Sequence, residues 1–331
     1  MTTARYSYIK SEFERLYTDS SRSVKTHAET VQNDDFARIF SALIVNLQGL
    51  HSREYAYTFS MYEKSLFAAR KGNLQLADQY IIEASSCSSP AYSGNISHLV
   101  INVHALPSVA FLRYKQGQYD EAEKLLIAAI DNDEMLLAVG VYIIEYHRVQ
   151  QLHNLSRLFF HQNRIEAGAL IIKQCLRFLL AGHKPEIGTN WSFDAIKMAP
   201  AQLRIGMLLQ VIGEINYNIT NRNFDRFTIN QIVFNNLTEG VEILSQVHIA
   251  QWITLKNEVN YQLTEKIIAD TIDFLLEHSS ISESYKIVLL LDIVDKMKQH
   301  SLYDNSIYQL ILSYIYKSTI GTHNYKKLFV T

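Results

Sequence analysis

Proline is scarce in this chain, with 4 in 331 residues and only 12 glycines beside them. Average usage near 5% would give roughly sixteen prolines. So few breakers in a chain rich in Leu, Ile, Ala, Glu, Gln and Lys exclude an all-β sandwich and point to helices. Cysteine is nearly absent. Cys87 and Cys175 stand alone without a CxxC partner, so no disulfide framework is available and a reducing, cytoplasmic setting is expected. Charge of one sign is also lacking: 31 Lys and Arg face 33 Asp and Glu, for a net charge of -2. That balance leaves no footprint for a polyanion. The Lys and Arg of residues 1–50, where a DNA-binding helix pair would sit, are matched by Asp and Glu. Nucleic acid is therefore not an expected partner.

Long apolar runs are missing as well. The richest stretch, Leu136 to Ile144, gives way to Glu145, His147 and Arg148, so no membrane segment is expected. The opening, MTTARYSYIKSEFERLY, is amphipathic and charged and has no apolar core of a signal peptide. No GxGxxG, GxxxxGK[ST], HExxH or GxSxG occurs. Ser7 to Lys10 matches SxxK in form only, without companion motifs.

What is present is apolar residues at spacings of three and four almost throughout. The pattern predicts helices near 4–18, 24–49, 53–71, 74–87, 95–116, 119–131, 133–162, 165–181, 198–220, 226–248, 251–277, 281–299 and 303–318. Val, Ile and Tyr in 136–146 invite a strand, but the pattern continues in helical phase to Phe160, which favours a helix.

Three segments repeat a common design. Ser108–Asp131 carries Ala110 in a first helix and a break at Gly117, followed by Tyr119, Ala122, Leu126 and Ala129 along one face of a second. Ser65–Ala84 offers Gly72, Leu74, Ala77, Ile81 and Ala84 in matching places, and Ser156–Cys175 offers Asn163, Ile165, Gly168, Ile172 and Cys175. Small residues let two antiparallel helices approach closely, and Gly, or Asn in its place, tolerates the left-handed turn. Breaks at 72, 117 and 163 are 45 and 46 residues apart.

This design resembles a tetratricopeptide repeat over about 58–182, without that pattern's tryptophan and closing proline. Pro90 sits one place late, and Glu134 takes the corresponding place in the second unit. The usual repeat is about 34 residues long, so about eleven more are expected to extend the first helix of a unit, as the 133–162 pattern suggests. The resemblance implies an all-α solenoid of antiparallel helix pairs forming a right-handed superhelix. Residues 1–52 would be N-terminal capping helices and 53–182 the repeats. Residues 183–199 form an irregular insertion, and 200–331 are C-terminal divergent repeats or a capping bundle.

Repeat arrays present a face lined by the first helix of each pair. Carried over by position, that face holds Tyr62, Leu66 and Arg70 in the first unit and His104, Phe111, Tyr114 and Lys115 in the second. His153, Asn154, Arg157, Phe160 and His161 come from the third. Aromatics beside cations and amides suit a peptide: rings supply area, cations take carboxylates, and amides pair with backbone. Tyr114, Arg157 and Phe160 are the expected anchors, and Lys115 and Arg157 favour an acidic segment.

His147, His153 and His161 are spaced by six and eight, which does not converge on one metal ion. No metal or cofactor is expected. The function these residues suggest is a non-enzymatic scaffold or adaptor that binds a protein or peptide segment, with a homodimer left open. Two alternatives remain: a regulatory peptide sensor acting through a partner, and an enzyme with a pocket around Trp191 in the insertion.

Overall fold

The computed structural model describes residues 7–8, 10–12, 14–15, 34–45, 52–87, 95–222, 224–237, 248–278, 281, 283–299 and 305–319. Pro90, and the parts of the expected helices 4–18 and 24–49 beyond these ranges, lie outside them. All secondary structure among the described residues is helical. The chain divides into two compact units, residues 31–207 and residues 1–30 with 208–331.

The first unit holds α1 (Asp34–Val45), α2 (Ser52–Arg70), α3 (Leu74–Cys87), α4 (Asn95–Lys115), α5 (Tyr119–Ala138), α6 (Ile144–His161), α7 (Ile165–Ala181) and the short α8 (Phe193–Met198). Consecutive helices pack side by side: α2 with α3, α4 with α5, α6 with α7. Between pairs, α2 lies against α4, α5 against α6, and α4 touches α6. The small residues sit where the helices of a pair meet. Ala77, Ala84, Ala122, Ala129 and Cys175 have no exposed surface at all.

The three turns inside the pairs share one backbone design. Gly72, Gly117 and Asn163 all have positive φ, at 82°, 78° and 61°. In each, the turn residue donates to the carbonyl three back, and the next residue donates to the carbonyl five back (Asn73 to Ala68, Gln118 to Arg113, Arg164 to Phe159, all 2.9 Å). This double closure satisfies carbonyls that a helix end leaves unpaired.

One expected helix is broken. The pattern over 133–162 reads as continuous, yet α5 ends at Ala138 and α6 begins at Ile144. Gly140, at φ 92°, carries the same pair of bonds, to Leu137 and to Leu136. It lies 23 residues after Gly117 and 23 before Asn163. Between Gly117 and Asn163 the extra residues are therefore shared between both helices instead of extending the first, because the left-handed Gly140 reverses the chain halfway.

The segment Ile96–Lys115 reaches the length and hydropathy of a membrane-crossing helix, although His98, Asn102 and His104 interrupt its apolar residues. It is α4, with Leu99, Val100, Ile101, Val103, Ala110 and Leu112 buried among its neighbours.

Helix α9 (Ala201–Asn221) runs from the first unit into the second, which also contains α10 (Arg226–Phe234), α11 (His248–Tyr261), α12 (Glu265–Glu277), α13 (Glu283–Gln299) and α14 (Asn305–Thr319). Helix α11 packs against α10, α12 and α13, and α13 against α14. Two expected helices end early or are divided. That over 226–248 ends at Phe234, near Asn236 with φ 55°, and its residues 238–247 lie outside the described ones; that over 251–277 is interrupted after Tyr261. Thr264 restarts it as an N-cap, accepting from the Ile267 amide. At the centre Trp252 stands edge-on between Phe234 and Tyr285, and its indole N–H donates to the Tyr285 carbonyl. Beside it Lys256 and Asp292 form a buried ion pair, joined by Arg226 at 3.4 Å and the Asn230 amide at 3.0 Å.

Candidate binding face and the groups beneath it

Counting back from the turn residues 72, 117 and 163 aligns the three first helices α2, α4 and α6. Two residues back stand Arg70, Lys115 and His161, all exposed. Six back stand Leu66, Phe111 and Arg157, of which Arg157 is exposed and the others half-buried. Thirteen back stand Phe59, His104 and Gln150, all half-buried. These positions repeat one face of a helix. A cation in the last turn also complements the partial negative charge there, worth about 0.3–1 kcal/mol, so the column has a local structural use as well.

Not every expected residue lies on that face. Tyr62 and His153, ten back, are each 5% exposed, and Phe160, three back, is 1% exposed. A helix turns about 100° per residue. Ten back is thus rotated about 80° from two back, and three back about 100°, enough to swing a side chain into the packing. Phe160 cannot be an open anchor; its ring lies over Gly168 of α7. Tyr114, in the same register, is half-buried in a cluster with Phe111, Tyr119 and His161, meeting His161 edge-on at 4.9 Å. The Lys115 ammonium lies 5.6 Å from the Phe111 ring and 5.9 Å from that of Tyr114. Asn154 is half-buried and bonded to Gln150 and Gln151.

Farther from the turns, the face becomes imidazole-rich. His147 of α6 is held by Asp133 of α5, Nδ1 to Oδ2 at 2.6 Å, and its Nε2 faces the Gln151 amide at 2.9 Å. Asp133 is fully buried and its Oδ1 has no hydrogen-bond partner. Burial pushes the Asp133 carboxyl up, against the pull of His147 and Arg148. His104 of α4 meets Phe59 of α2 edge-on at 4.0 Å and Phe40 of α1 at 6.0 Å. Burial, with the nearby His147, holds His104 down to about 3, so it is neutral at physiological pH.

The insertion is clamped onto this unit by a second group of charges. Arg148 and Glu145 of α6, both fully buried, are joined at 3.1 Å. Arg148 also donates to the Thr189 carbonyl at 2.7 Å, and its guanidinium lies 4.0 Å above the Trp191 ring. Glu134 of α5 accepts from the Thr189 hydroxyl and the Asn190 amide, both at 2.6 Å. These bonds hold its carboxyl below the usual range. Glu145 accepts from the Ser192 amide, yet burial pushes its carboxyl up to about 7. Trp191 is buried, edge-on to Phe178 of α7 at 5.0 Å.

Sequence reasoning named Glu145, His147 and Trp191 but found neither the Asp133 and Arg148 partners nor the contacts of α1 with His104 and His147. The i, i+3 spacing of Glu145 and Arg148 and the Phe36, Phe40, Ile44 stripe were signals it left unused. Among the described residues, no three His, Cys, Asp or Glu side chains are grouped to hold a metal ion. No family model, no curated protein and no solved structure matches this chain.

Proposed function

We propose that this chain is a non-enzymatic binding module, a tetratricopeptide-like right-handed solenoid whose first-helix face takes a protein or peptide segment of acidic character. The observation that carries this reading is the exposed position two residues before each turn, filled by the cations Arg70 and Lys115 and by His161, with the cation Arg157 one helical turn away. A net charge of -2 for the whole chain makes this local concentration of cations a specific feature. Phe111 and Tyr114 lie beside the column and supply contact area under the Lys115 ammonium. The solenoid itself is supported by three turns of one geometry at intervals of 45 and 46 residues and by the packing of successive pairs.

The test reverses the charges. Full-length chain carrying Arg70→Glu, Lys115→Glu and Arg157→Glu is compared with the natural chain as bait, and captured proteins are identified by mass spectrometry. The natural chain should retain an acid-rich set, weakened modestly by salt, and the variant should lose it at unchanged helical content. An unchanged captured set would remove the face as the binding site.

A further inference from the structure

Helix α1 is twelve residues long, Asp-Asp-Phe-Ala-Arg-Ile-Phe-Ser-Ala-Leu-Ile-Val. Phe36, Phe40 and Ile44 follow at intervals of four and so form one row along it. Phe36 and Phe40 stack nearly parallel at 5.6 Å, and Phe40 and Ile44 are buried. The two rings rest on the first helices of successive pairs. Phe36 stacks on His147 of α6 at 6.0 Å, and Phe40 stands edge-on to His104 of α4 at 6.0 Å. On the receiving side Phe59 of α2 closes against His104, and Asp133 fixes the His147 ring.

We propose that Phe59, His104 and His147 form a docking seat for an amphipathic helix bearing two phenylalanines four residues apart. Helix α1 occupies this seat as a built-in ligand, and a partner protein's helix of the same pattern competes for it. The inference rests on reading the first-helix face as a binding surface, and it concerns the half farther from the turns.

Three observations support it. The two imidazoles come from different helices yet each receives one of two rings on adjacent turns of a single helix. The seat pairs flat rings with flat rings, where offset and edge-on contacts are favourable. A twelve-residue helix is marginal in water by itself, so the helical form of α1 depends on the surface it covers. Six residues, 46–51, connect it to α2. Covalent linkage through so few residues gives α1 an effective concentration on the order of millimolar. A free helix should therefore bind poorly until α1 is weakened.

The experiment uses the full chain and a fluorescent peptide of residues 34–45. Phe36→Ala with Phe40→Ala weakens the seat's own occupant. That variant should bind the peptide at least tenfold more tightly than the natural chain does. Adding His104→Ala, or replacing both phenylalanines in the peptide, should abolish the gain. A folded double variant that binds no better than the natural chain overturns the proposal. Hydrogen exchange on the natural chain serves if that variant unfolds. Amides of α1 exchanging at least tenfold faster than those of α4 and α6 support a detachable ligand, and exchange in one common event with them overturns it. Failure here with acidic capture intact sinks this inference alone. Loss of the charge effect with peptide binding intact sinks only the reading of the basic column.

Discussion

A methyl group at Gly168 would stand 2.9 Å from Cδ1 and Cε1 of Phe160. Helix α7 therefore crosses α6 over a phenyl ring, at a separation that only glycine permits. Gly168→Ala should cost about 1–3 kcal/mol in overpacking, partly offset by the better helix propensity of Ala, about 1 kcal/mol. A net loss of about 1 kcal/mol in urea unfolding is expected. Phe160→Leu should relieve part of it, giving a coupling of at least about 0.5 kcal/mol in a double-mutant cycle. Strict additivity would mean the two residues do not meet.

Ala122 lies fully buried where α5 packs on α4. Ala122→Leu should lower stability by about 1–3 kcal/mol through overpacking, with no ligand present. An unchanged melting temperature would place the crossing elsewhere.

Asn163 adopts φ 61° where the two other pairs use glycine. Asn tolerates this conformation better than other non-glycine residues, which pay about 1–2 kcal/mol. Asn163→Ala should therefore lose about 1 kcal/mol, and Asn163→Gly should be neutral or slightly stabilising. Equal melting temperatures for the two variants would contradict the left-handed turn.

His104 titrates near 3 in the folded chain, well below its ordinary 6.5. A depressed histidine favours the folded state fully above pH 6.5, and that contribution is lost as pH falls from 6.5 towards 3. The slope is at most about 1.4 kcal/mol per pH unit, since the ring is not wholly enclosed. His104→Gln should flatten the acid limb of stability against pH. A limb of the same slope would show that other groups set it.

Lys256 is fully buried against Asp292, and burial lowers its ammonium to about 8 in spite of that carboxylate. Lys256→Met leaves the carboxylate with Arg226 and Asn230. The loss should fall at the lower end of the roughly 3–5 kcal/mol for breaking a buried pair. Lys256→Met with Asp292→Leu should recover most of it. No recovery would mean that Asp292 serves the Arg226 bond more than the lysine.

The sequence by itself determined the helices and their reversals. Apolar spacing and the scarcity of proline set the helical class. Gly72, Gly117 and Asn163 marked turns whose shared geometry the structure bears out, because conformational preference at a single residue is a local property. Buried Ala77, Ala84, Ala122 and Ala129 were legible for the same reason: a small residue every seven positions marks where a partner helix must come close. Gly140 was the exception. Its flanking residues keep helical phase, so periodicity ran through a break that only its left-handed backbone reveals.

Tertiary structure decided which side of each helix is open. Phe160 directly precedes His161, and Tyr62 and His153 stand eight residues before Arg70 and His161, yet a rotation of about 80–100° carries them into the packing. It also decided the long-range partners: Trp191 under Arg148, Thr189 on Glu134, and Phe36 and Phe40 on the imidazoles of α6 and α4. Those contacts span some 40 to 110 residues of chain. Nothing in local spacing specifies them, because burial of a charge or a ring depends on which distant surfaces the folded chain brings together.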